Sequence, residues 1–326
     1  MADRRTDRAD GERRGESPRE REGARGKARE IRVGVAGWAI PSHVKHRFGD
    51  DGSALERYAE ALTAVEINTT FYRFHEPATF ARWAASVPKD FRFAVKLAGE
   101  ITHHRKLVAC EEPLERFFAG VRELGRKLGP VLIQLPPSLA YDDTLARRFF
   151  YLLRALHDGA VVIEPRHPSW FAGAAGRALV EHRVARVAAD PSPTTAGSEP
   201  GGHDEVTYFR LHGTPQMYHS SYPKPYLHGL AARLIGARGS APAWVIFDNT
   251  AAGAAAANAL ALTTELGRQA SVAAARRAAT TRPSPAKAPV AKPNARAAGR
   301  MSRSGRRSAS TPPPEQPPRR SRRRRA

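Results

Sequence analysis

Short runs in which apolar and polar residues alternate recur through the middle of the chain, separated by longer runs with an apolar residue every three or four positions. The alternation predicts β-strands, and the longer period predicts amphipathic helices. The predicted strands are residues 32–37, 64–68, 91–96, 131–135, 161–164, 184–190, 207–213 and 243–249. The predicted helices are residues 53–62, 77–87, 113–129, 144–156, 173–182, 225–237 and 254–267, and the Pro/Gly/Ser-rich segment 191–206 is predicted to be a loop.

Strands that alternate with helices over residues 31–267 are typical of an α/β fold, and eight such strands favour a (β/α)₈ TIM-like barrel. A doubly wound open sheet is the competing fold, and it predicts a glycine-rich phosphate loop directly after the first strand. The sequence "GVAGWAIP" offers Gly34 and Gly37 there, but the bulky Trp38 and Pro41 fit such a loop poorly. The barrel is therefore the favoured fold.

The strand predicted at 64–68 carries apolar residues on one face and polar residues on the other. Val65 and Ile67 alternate with Glu66 and Asn68. Burying a carboxylate without partners costs several kcal/mol, so this face either is exposed to solvent or lines a site where polar groups converge. In a barrel, alternate side chains point towards the axis, and the carboxyl ends of the strands form the active face. We therefore expect Glu66 and Asn68 to face a site on the barrel axis.

The other predicted strands also end in polar residues on the same face. Read in phase with their strands, these residues are Lys96, Gln134, Glu164, Arg166, Asp190, Arg210, His212, Asp248 and Asn249. A structural network of ion pairs accounts for two or three of them, but it is a strained explanation for every strand. The pattern predicts a binding or catalytic site at the carboxyl ends of the strands.

Seven motifs along the chain carry a family resemblance. They are "VGVAGW", "AVEINTTFYRF", "FAVKLAGEITHHRKL", "LGPVLIQLPPS", "VIEPRHPSW", "YFRLHG" and "VIFDNTAAGAAAANAL", in this order. Together they resemble the YecE-like family, domain of unknown function 72, over residues 31–267. The resemblance implies a TIM-barrel-type fold and a shared polar pocket, and it carries no established reaction. The family has a second tryptophan soon after "GW" that this chain lacks, so the loop around Trp38 is expected to differ.

Chemical roles can be assigned to the polar residues by type. Glu66, Glu164 and His212 are the candidate catalytic residues for acid/base chemistry. Lys96, Arg166 and Arg210 either converge on an anionic ligand or neutralise Glu66, Glu164 and Asp190; the sequence leaves both interpretations open. The further candidate ligand-binding residues are Trp38, Asn68, Tyr72, His103, Gln134, Asp190, Asp248 and Asn249, and Trp170 is a candidate aromatic platform.

No cofactor fingerprint is present, so no cofactor is predicted. A divalent metal is the less favoured interpretation, with Glu66, His103, Glu164, Asp190, His212 and Asp248 as its ligand inventory. Local ligand spacings such as HxH or HExxH are missing, and three nearby cations would repel a metal ion.

Two classes of function remain. The first is a hydrolase or isomerase that acts on a small polar or phosphorylated ligand, including a sugar-like one. The alternative is a non-catalytic ligand-binding or nucleic-acid-associated protein, or a metal-dependent nuclease-like barrel. Carboxylates and a histidine together on the axial face favour the enzyme, because a pure binding site rarely needs both.

Charge is spread unevenly along the 326 residues, whose formal net charge is +21. Residues 268–326 contain 17 Lys/Arg and a single acid, Glu315, whereas residues 1–30 contain 10 Lys/Arg and 8 Asp/Glu. Both ends lack the apolar content needed to form a core and are predicted to be disordered extensions. The basic tail either attracts nucleic acid without sequence preference or is a solvated extension without a partner.

Features that would direct the chain to a membrane or an oxidising compartment are not expected. The first 30 residues hold no apolar run of the kind a signal peptide needs, and no stretch is apolar enough for a membrane helix. Cys110 is the single cysteine, so an internal disulfide is excluded. The sequence therefore predicts a cytoplasmic protein without a membrane partner.

Overall fold

The structure, a computed structural model, describes residues 29–237, 239 and 241–280. The strands are β1 (Ile31–Val35), β2 (Ala64–Ile67), β3 (Arg92–Lys96), β4 (Leu128–Gln134), β5 (Val161–Glu164), β6 (Val184–Arg186), β7 (Ala188–Asp190), β8 (Gly201–Gly202), β9 (Thr207–Leu211) and β10 (Ala243–Phe247). The α-helices are α1 (Ala54–Ala61), α2 (Pro77–Ala85), α3 (Glu111–Val121), α4 (Asp143–Leu156), α5 (Gly173–Glu181), α6 (Lys224–Gly236) and α7 (Ala254–Thr280). Nearly all of the predicted N-terminal extension, and the basic tail beyond residue 280, lie outside the described residues.

The strands form two sheets, in the orders β1-β10-β9-β7 and β2-β3-β4-β5-β6-β8. Every pair of neighbours is parallel except β6 and β8, which are antiparallel. The strand predicted at 184–190 is divided, since β6 pairs with β5 whereas β7 pairs with β9. The α/β class with parallel strands is thus confirmed. The predicted closed barrel is not found among the described residues, because the ladder hydrogen bonds divide the strands between two sheets.

Both sheets contribute side chains to one interior apolar cluster. Its buried members are Ala64, Ala94, Leu132, Val162, Ala185, Val187, Ala189, Val206, Tyr208, Trp244 and Ile246. The stacked rings of Tyr208 and Trp244, with centroids 6.2 Å apart, fill the space that the alanines leave. Side chains alternate along a strand, so a residue two positions after a member of this cluster points in the same direction as that member. The cluster therefore forms an apolar layer next to the polar residues at the strand ends.

A buried tyrosine occupies the seam between β1 of one sheet and β2 of the other. The hydroxyl of Tyr58 accepts a hydrogen bond from Val35 N (3.0 Å) and donates one to Ala64 O (2.9 Å). Burial raises the pKa of Tyr58, so this hydroxyl keeps the proton that it donates. Gly37 N also donates to Glu66 O at 2.9 Å, and the edges of the two sheets therefore lie side by side here.

The last helix extends beyond its predicted end. We predicted a helix over residues 254–267 and a disordered tail from residue 268, but α7 continues to Thr280. Gly267 does not end the helix because the next residues have partners: Arg268 and Gln269 donate to Glu265, and Gln269 also donates to the carbonyl of His228 on α6. Contacts with α6 thus outweigh the low helix propensity of one glycine.

Candidate functional site

Arg210 on β9 is the centre of a buried cluster of ionisable residues. Its side chain is 0% exposed. Nη2 lies 2.8 Å from Glu66 Oε1 and 3.0 Å from Asp248 Oδ2, and Nη1 donates to Glu164 Oε2 at 3.0 Å. Burial opposes its charge, but the carboxylates of Asp248, Glu66 and Glu164 outweigh burial and hold the pKa of Arg210 well above its usual value. Arg210 therefore neutralises carboxylates of the protein and is not free to hold an external anion.

Glu66, at 0% exposure, has both carboxylate oxygens occupied. Arg210 Nε donates to both oxygens, at 3.2 and 3.1 Å, and the hydroxyl of Tyr208 donates to Oε2 at 2.9 Å. Both oxygens of this buried carboxylate thus accept hydrogen bonds from side chains of the protein. Glu66 was predicted to be catalytic, but its contacts fit a residue that positions Arg210 and Tyr208.

His212 lies between two carboxylates. Nδ1 is 3.0 Å from Asp248 Oδ2, and Nε2 is 3.0 Å from Glu164 Oε1. Arg166 Nη2 is 2.9 Å from the same Nε2 and 2.5 Å from Glu164 Oε1. A charged imidazolium donates to both carboxylates, whereas a neutral ring with its proton on Nδ1 accepts from Arg166 at Nε2. Asp248, His212 and Glu164 thus form a hydrogen-bonded row, and its geometry fits both the charged and the neutral ring of His212.

The two carboxylates of this row are ionised at neutral pH. Burial favours their neutral forms, but His212, Arg210 and Arg166 outweigh burial and hold the pKa of Glu164 well below its usual value. Burial likewise opposes the charge of Asp248, and Arg210 and His212 hold its pKa below the usual value. Each carboxylate is therefore an acceptor for a proton on His212.

A cavity of about 510 Å³ lies next to this row. It is lined by His103, Gln134, Leu135, Pro137, Arg166, Pro191, Ser192, Pro193, Met217 and Tyr218. Arg166 joins the cavity to the cluster, and its buried Nε has no hydrogen-bond partner in the described part of the chain. Gln134 Nε2, on the adjacent strand end, is 3.5 Å from Glu164 Oε1. A larger cavity of about 740 Å³ lies at the opposite end of β9, around Thr207 and Arg29, far from these side chains.

Lys96 and His103 lie beside the cluster, and both contact the Phe71 ring. The Lys96 ammonium is 4.0 Å from the ring centroid of Phe71, and the His103 ring meets Phe71 edge-on at 4.8 Å. Burial and the neighbouring Arg210 lower the pKa of Lys96 to about 8. Burial, followed by the charge of Lys96, lowers the pKa of His103. His103 belongs to a π-helical turn, Glu100–His104, a backbone form that is frequent at functional sites.

Several predicted residues lie away from the cluster. Tyr72 is 79% exposed, and Trp38 packs edge-on against Trp83, with ring centroids 5.1 Å apart. Asp190 was predicted to be one of the carboxylates that the cations neutralise, but Asp248 takes that place. The Asp190 side chain instead accepts from Thr214 Oγ1 at 3.0 Å, in the turn after β9.

The remaining predicted site residues are two asparagines and one tryptophan. Asn249 Nδ2 donates to Ser220 O and to Asn258 Oδ1, both at 2.9 Å, so Asn249 braces a loop. Asn68 follows β2, and its buried Oδ1 lacks a partner among the described residues. Trp170 was a candidate platform for a sugar or base. It is 1% exposed and donates to Leu139 O at 3.0 Å, so no ring face is open to a ligand.

Other residues near the site were not predicted from the sequence. Tyr208 is in phase with Arg210 on β9, and that alternation was a usable signal for its contact with Glu66. Tyr218, Ser192 and Met217 lie in loops, where no periodicity indicates which side chains face the cavity. The spatial neighbours of a loop residue are set by the rest of the fold.

No group of three or more His, Cys, Asp or Glu side chains within residues 29–237, 239 and 241–280 is arranged to hold a metal ion. The carboxylates of the cluster contact Arg210 and His212 instead. No helix in the described ranges has the length and apolar character needed to cross a membrane.

One family description matches most of the chain. The family described as "Protein of unknown function DUF72" matches residues 32–285. The UPF0759 protein YecE of Escherichia coli (strain K12) is 30% identical over 171 residues, which are 51% of this chain and 61% of that protein. The UPF0759 protein YunF of Bacillus subtilis (strain 168) is 25% identical over 150 residues, 43% of this chain and 52% of that protein. The matched region thus spans between half and two thirds of these relatives.

Two solved structures share the fold. A DUF72 family protein from Enterococcus faecalis V583 has a TM-score of 0.62 and 22% identity, and the match covers 73% of this chain and 95% of that one. A DUF72 family protein from Thermotoga maritima MSB8 has a TM-score of 0.57 and 23% identity, with 73% and 99% covered.

Proposed function

The chain belongs to the DUF72 family, and we propose that it binds a small anionic ligand in the cavity beside Arg166 and carries out acid/base chemistry on it there. The reaction type that fits is a hydrolysis or an isomerisation, because Glu164 and His212 transfer protons and need no further group to do so. A phosphorylated or carboxylated small molecule is the expected ligand class, and a cavity of about 510 Å³ has the size of a small-molecule site.

The two sheets act in this proposal as one barrel that brings all the polar strand ends together. Three observations support this arrangement: the interior cluster shared by both sheets, the Tyr58 hydroxyl that bridges β1 and β2, and the continuous segment that runs from β6 into β7. The carboxyl ends of barrel strands are where the active sites of such folds lie.

The position of Arg166 is the observation that carries the proposal. Its side chain is 14% exposed, lines the cavity, and has a buried Nε without a partner among the described residues. Guanidinium groups bind phosphate and carboxylate through two parallel hydrogen bonds, so this N–H is suited to a ligand anion. Because the same side chain contacts His212 Nε2 and Glu164 Oε1, an anion held by Arg166 lies next to the groups that transfer protons.

The remaining residues of the cluster have supporting roles. Glu66 and Asp248 fix Arg210, and Asp248 also holds the Nδ1 side of His212. When Arg166 turns to a ligand, Nε2 of His212 loses a competing donor and becomes available as a base. Gln134 contributes a neutral amide to the cavity wall, which suits a hydroxyl or carbonyl of the ligand.

Affinity for an anion should depend on Arg166. We expect glycerol 3-phosphate to bind the wild-type protein, and Arg166→Gln to weaken that binding by roughly 10- to 100-fold, the value of one charged hydrogen-bonding pair. Isothermal titration calorimetry measures the change, with glycerol as the neutral counterpart that should not bind. Arg183→Gln is the matched control, because Arg183 pairs with Glu205 at 3.0 Å on the surface. Equal affinity in wild type and Arg166→Gln would sink the proposal.

A further inference from the structure

Tyr218 has a backbone conformation that tyrosine rarely adopts. Its φ of +68° lies in the left-handed region, which favours glycine and asparagine over bulky residues. Tyr218 N donates to the carbonyl of His212, and Tyr218 O accepts from Ala251 N at 3.1 Å. These two hydrogen bonds tie the loop after β9 both to the end of that strand and to the segment after β10. Strained residues that the surrounding fold holds in place cluster at active sites and ligand contacts.

The side chain of Tyr218 lines the cavity beside Arg166 and remains partly exposed. It is 40% exposed, although its ring meets the imidazole of His212 edge-on at a centroid distance of 5.7 Å. Arg166 and Tyr218 line the same cavity. Burial raises the pKa of Tyr218, and the charge of Arg166 opposes that rise, as expected for a hydroxyl near the guanidinium. An aromatic surface is thus available close to both Arg166 and His212.

The rest of the cavity surface is mainly apolar. Six of the ten described residues that line it are apolar or aromatic: Leu135, Pro137, Pro191, Pro193, Met217 and Tyr218. Proline rings restrict the backbone, so much of this surface is preorganised, and a methionine thioether makes favourable contacts with aromatic rings. None of the ten described lining residues is Asp or Glu. The cavity therefore offers a cation to an anionic group and an apolar surface to the remainder of a ligand.

We propose that the cavity binds an anion that carries an aromatic ring, with Arg166 at the anionic group and Tyr218 against the ring. The inference rests on the proposed function, because the same cavity and the same arginine hold the anion. It narrows the ligand class to aryl phosphates and aryl carboxylates. A polyhydroxylated ligand would gain little from the apolar lining residues, whereas an aromatic ring buries apolar surface against them and pairs with the ring of Tyr218.

A structural role for Tyr218 is the competing explanation. The tyrosine contacts His212 through its ring and through its backbone, and in this explanation it only holds the histidine in place. The backbone hydrogen bonds, however, do not need an aromatic ring, and glycine or asparagine would make them with less strain. A ring that only braces His212 affects the binding of every anion equally. A ring that contacts the ligand favours aromatic anions.

Two phosphonates that differ only in their organic group test the proposal. Isothermal titration calorimetry on the full chain compares methylphosphonate with phenylphosphonate, at a pH at which both are dianions. Neither contains an ester that the protein could hydrolyse. We expect wild type to bind phenylphosphonate about 10- to 100-fold more tightly than methylphosphonate, the usual gain from burying a group of this size. Equal affinity of wild type for the two phosphonates would overturn the proposal.

Variants of Tyr218 separate ligand contact from bracing. Tyr218→Phe keeps the ring and should keep the preference for phenylphosphonate. Tyr218→Asn suits the left-handed backbone and removes the ring, so it should weaken phenylphosphonate about tenfold and methylphosphonate by less than about twofold. Tyr72→Asn is the matched control, because Tyr72 is 79% exposed and is not a lining residue of the cavity. An equal loss of both phosphonates in Tyr218→Asn would overturn the proposal in favour of the brace.

Glycerol 3-phosphate and Arg166→Gln distinguish a failure of this inference from a failure of the proposed function. Arg166→Gln should weaken both phosphonates by roughly 10- to 100-fold, as for any anion that this arginine holds. Binding of glycerol 3-phosphate that depends on Arg166, together with no preference for phenylphosphonate, would overturn the inference and leave the proposed function standing. Phenylphosphonate that binds Arg166→Gln as tightly as wild type would overturn both.

Discussion

Arg210→Met is expected to lower the free energy of unfolding by about 3–5 kcal/mol, the usual result of removing one partner from a buried ion pair. The side chain that is lost neutralises Glu66, Glu164 and Asp248, and no other described cation replaces its contacts to all three. Three buried carboxylates would then lie close together with fewer positive charges. Water must enter, or protons must be taken up, before the fold can tolerate them.

Urea unfolding monitored by circular dichroism measures this loss, and a surface arginine provides the control. Arg148 is 71% exposed and pairs with Glu111 at 3.2 Å, so Arg148→Met should cost about 0–1 kcal/mol. Adding Glu66→Gln to Arg210→Met removes one of the stranded charges and should restore part of the stability. If Arg210→Met is as mild as Arg148→Met, the cluster does not depend on Arg210 as described.

Gly34→Ala is expected to destabilise the protein by roughly 3 kcal/mol, at the upper end for overpacking. A Cβ atom at Gly34 would lie 2.3 Å from the backbone oxygen of Ala64, and a backbone atom cannot turn aside as a side chain can. The clash would separate β1 from β2 at the seam that Tyr58 bridges, next to Glu66. We therefore expect weaker ligand binding in this variant as well as a lower urea midpoint.

A glycine with free space around it isolates the steric effect. A Cβ atom at Gly176 in α5 would have no neighbouring atom within 4 Å, so Gly176→Ala should be neutral or stabilise by up to about 1 kcal/mol. Thermal and urea unfolding of the two variants, made in parallel, give the comparison. Similar stability for Gly34→Ala and wild type would mean that the two sheets do not approach closely at this seam.

Periodicity predicted most of the elements and the direction of many polar side chains, but it predicted neither β8, within the expected loop 191–206, nor the division between β6 and β7. The seven α-helices of the described residues and most of the parallel strands were predicted, generally to within a few residues, because both repeats are set by burial on one face. Alternation along the strands also brought Glu66, Lys96, Glu164, Arg210 and Asp248 to one face, and the structure has them in one neighbourhood.

The pairing within that face could not be predicted, since it depends on distances between strands that are far apart in sequence. Three cations and several carboxylates were expected to balance, but the sequence does not indicate that Arg210 takes three carboxylates while Lys96 takes none. Asp190 ends β7 and Asp248 directly follows β10, yet only Asp248 contacts Arg210. Residues beyond a strand end, such as Tyr72, follow turns whose direction the strand period does not determine.

The cavity beside Arg166 is expected to hold a small anion next to Glu164 and His212. A crystal structure of the protein grown with glycerol 3-phosphate tests it most directly. We predict density for the phosphate within hydrogen-bonding distance of Arg166 Nε, with the glycerol part towards Gln134 and His103. A ligand found elsewhere on the protein, with this cavity filled by water alone and Arg166 still on Glu164, would contradict it.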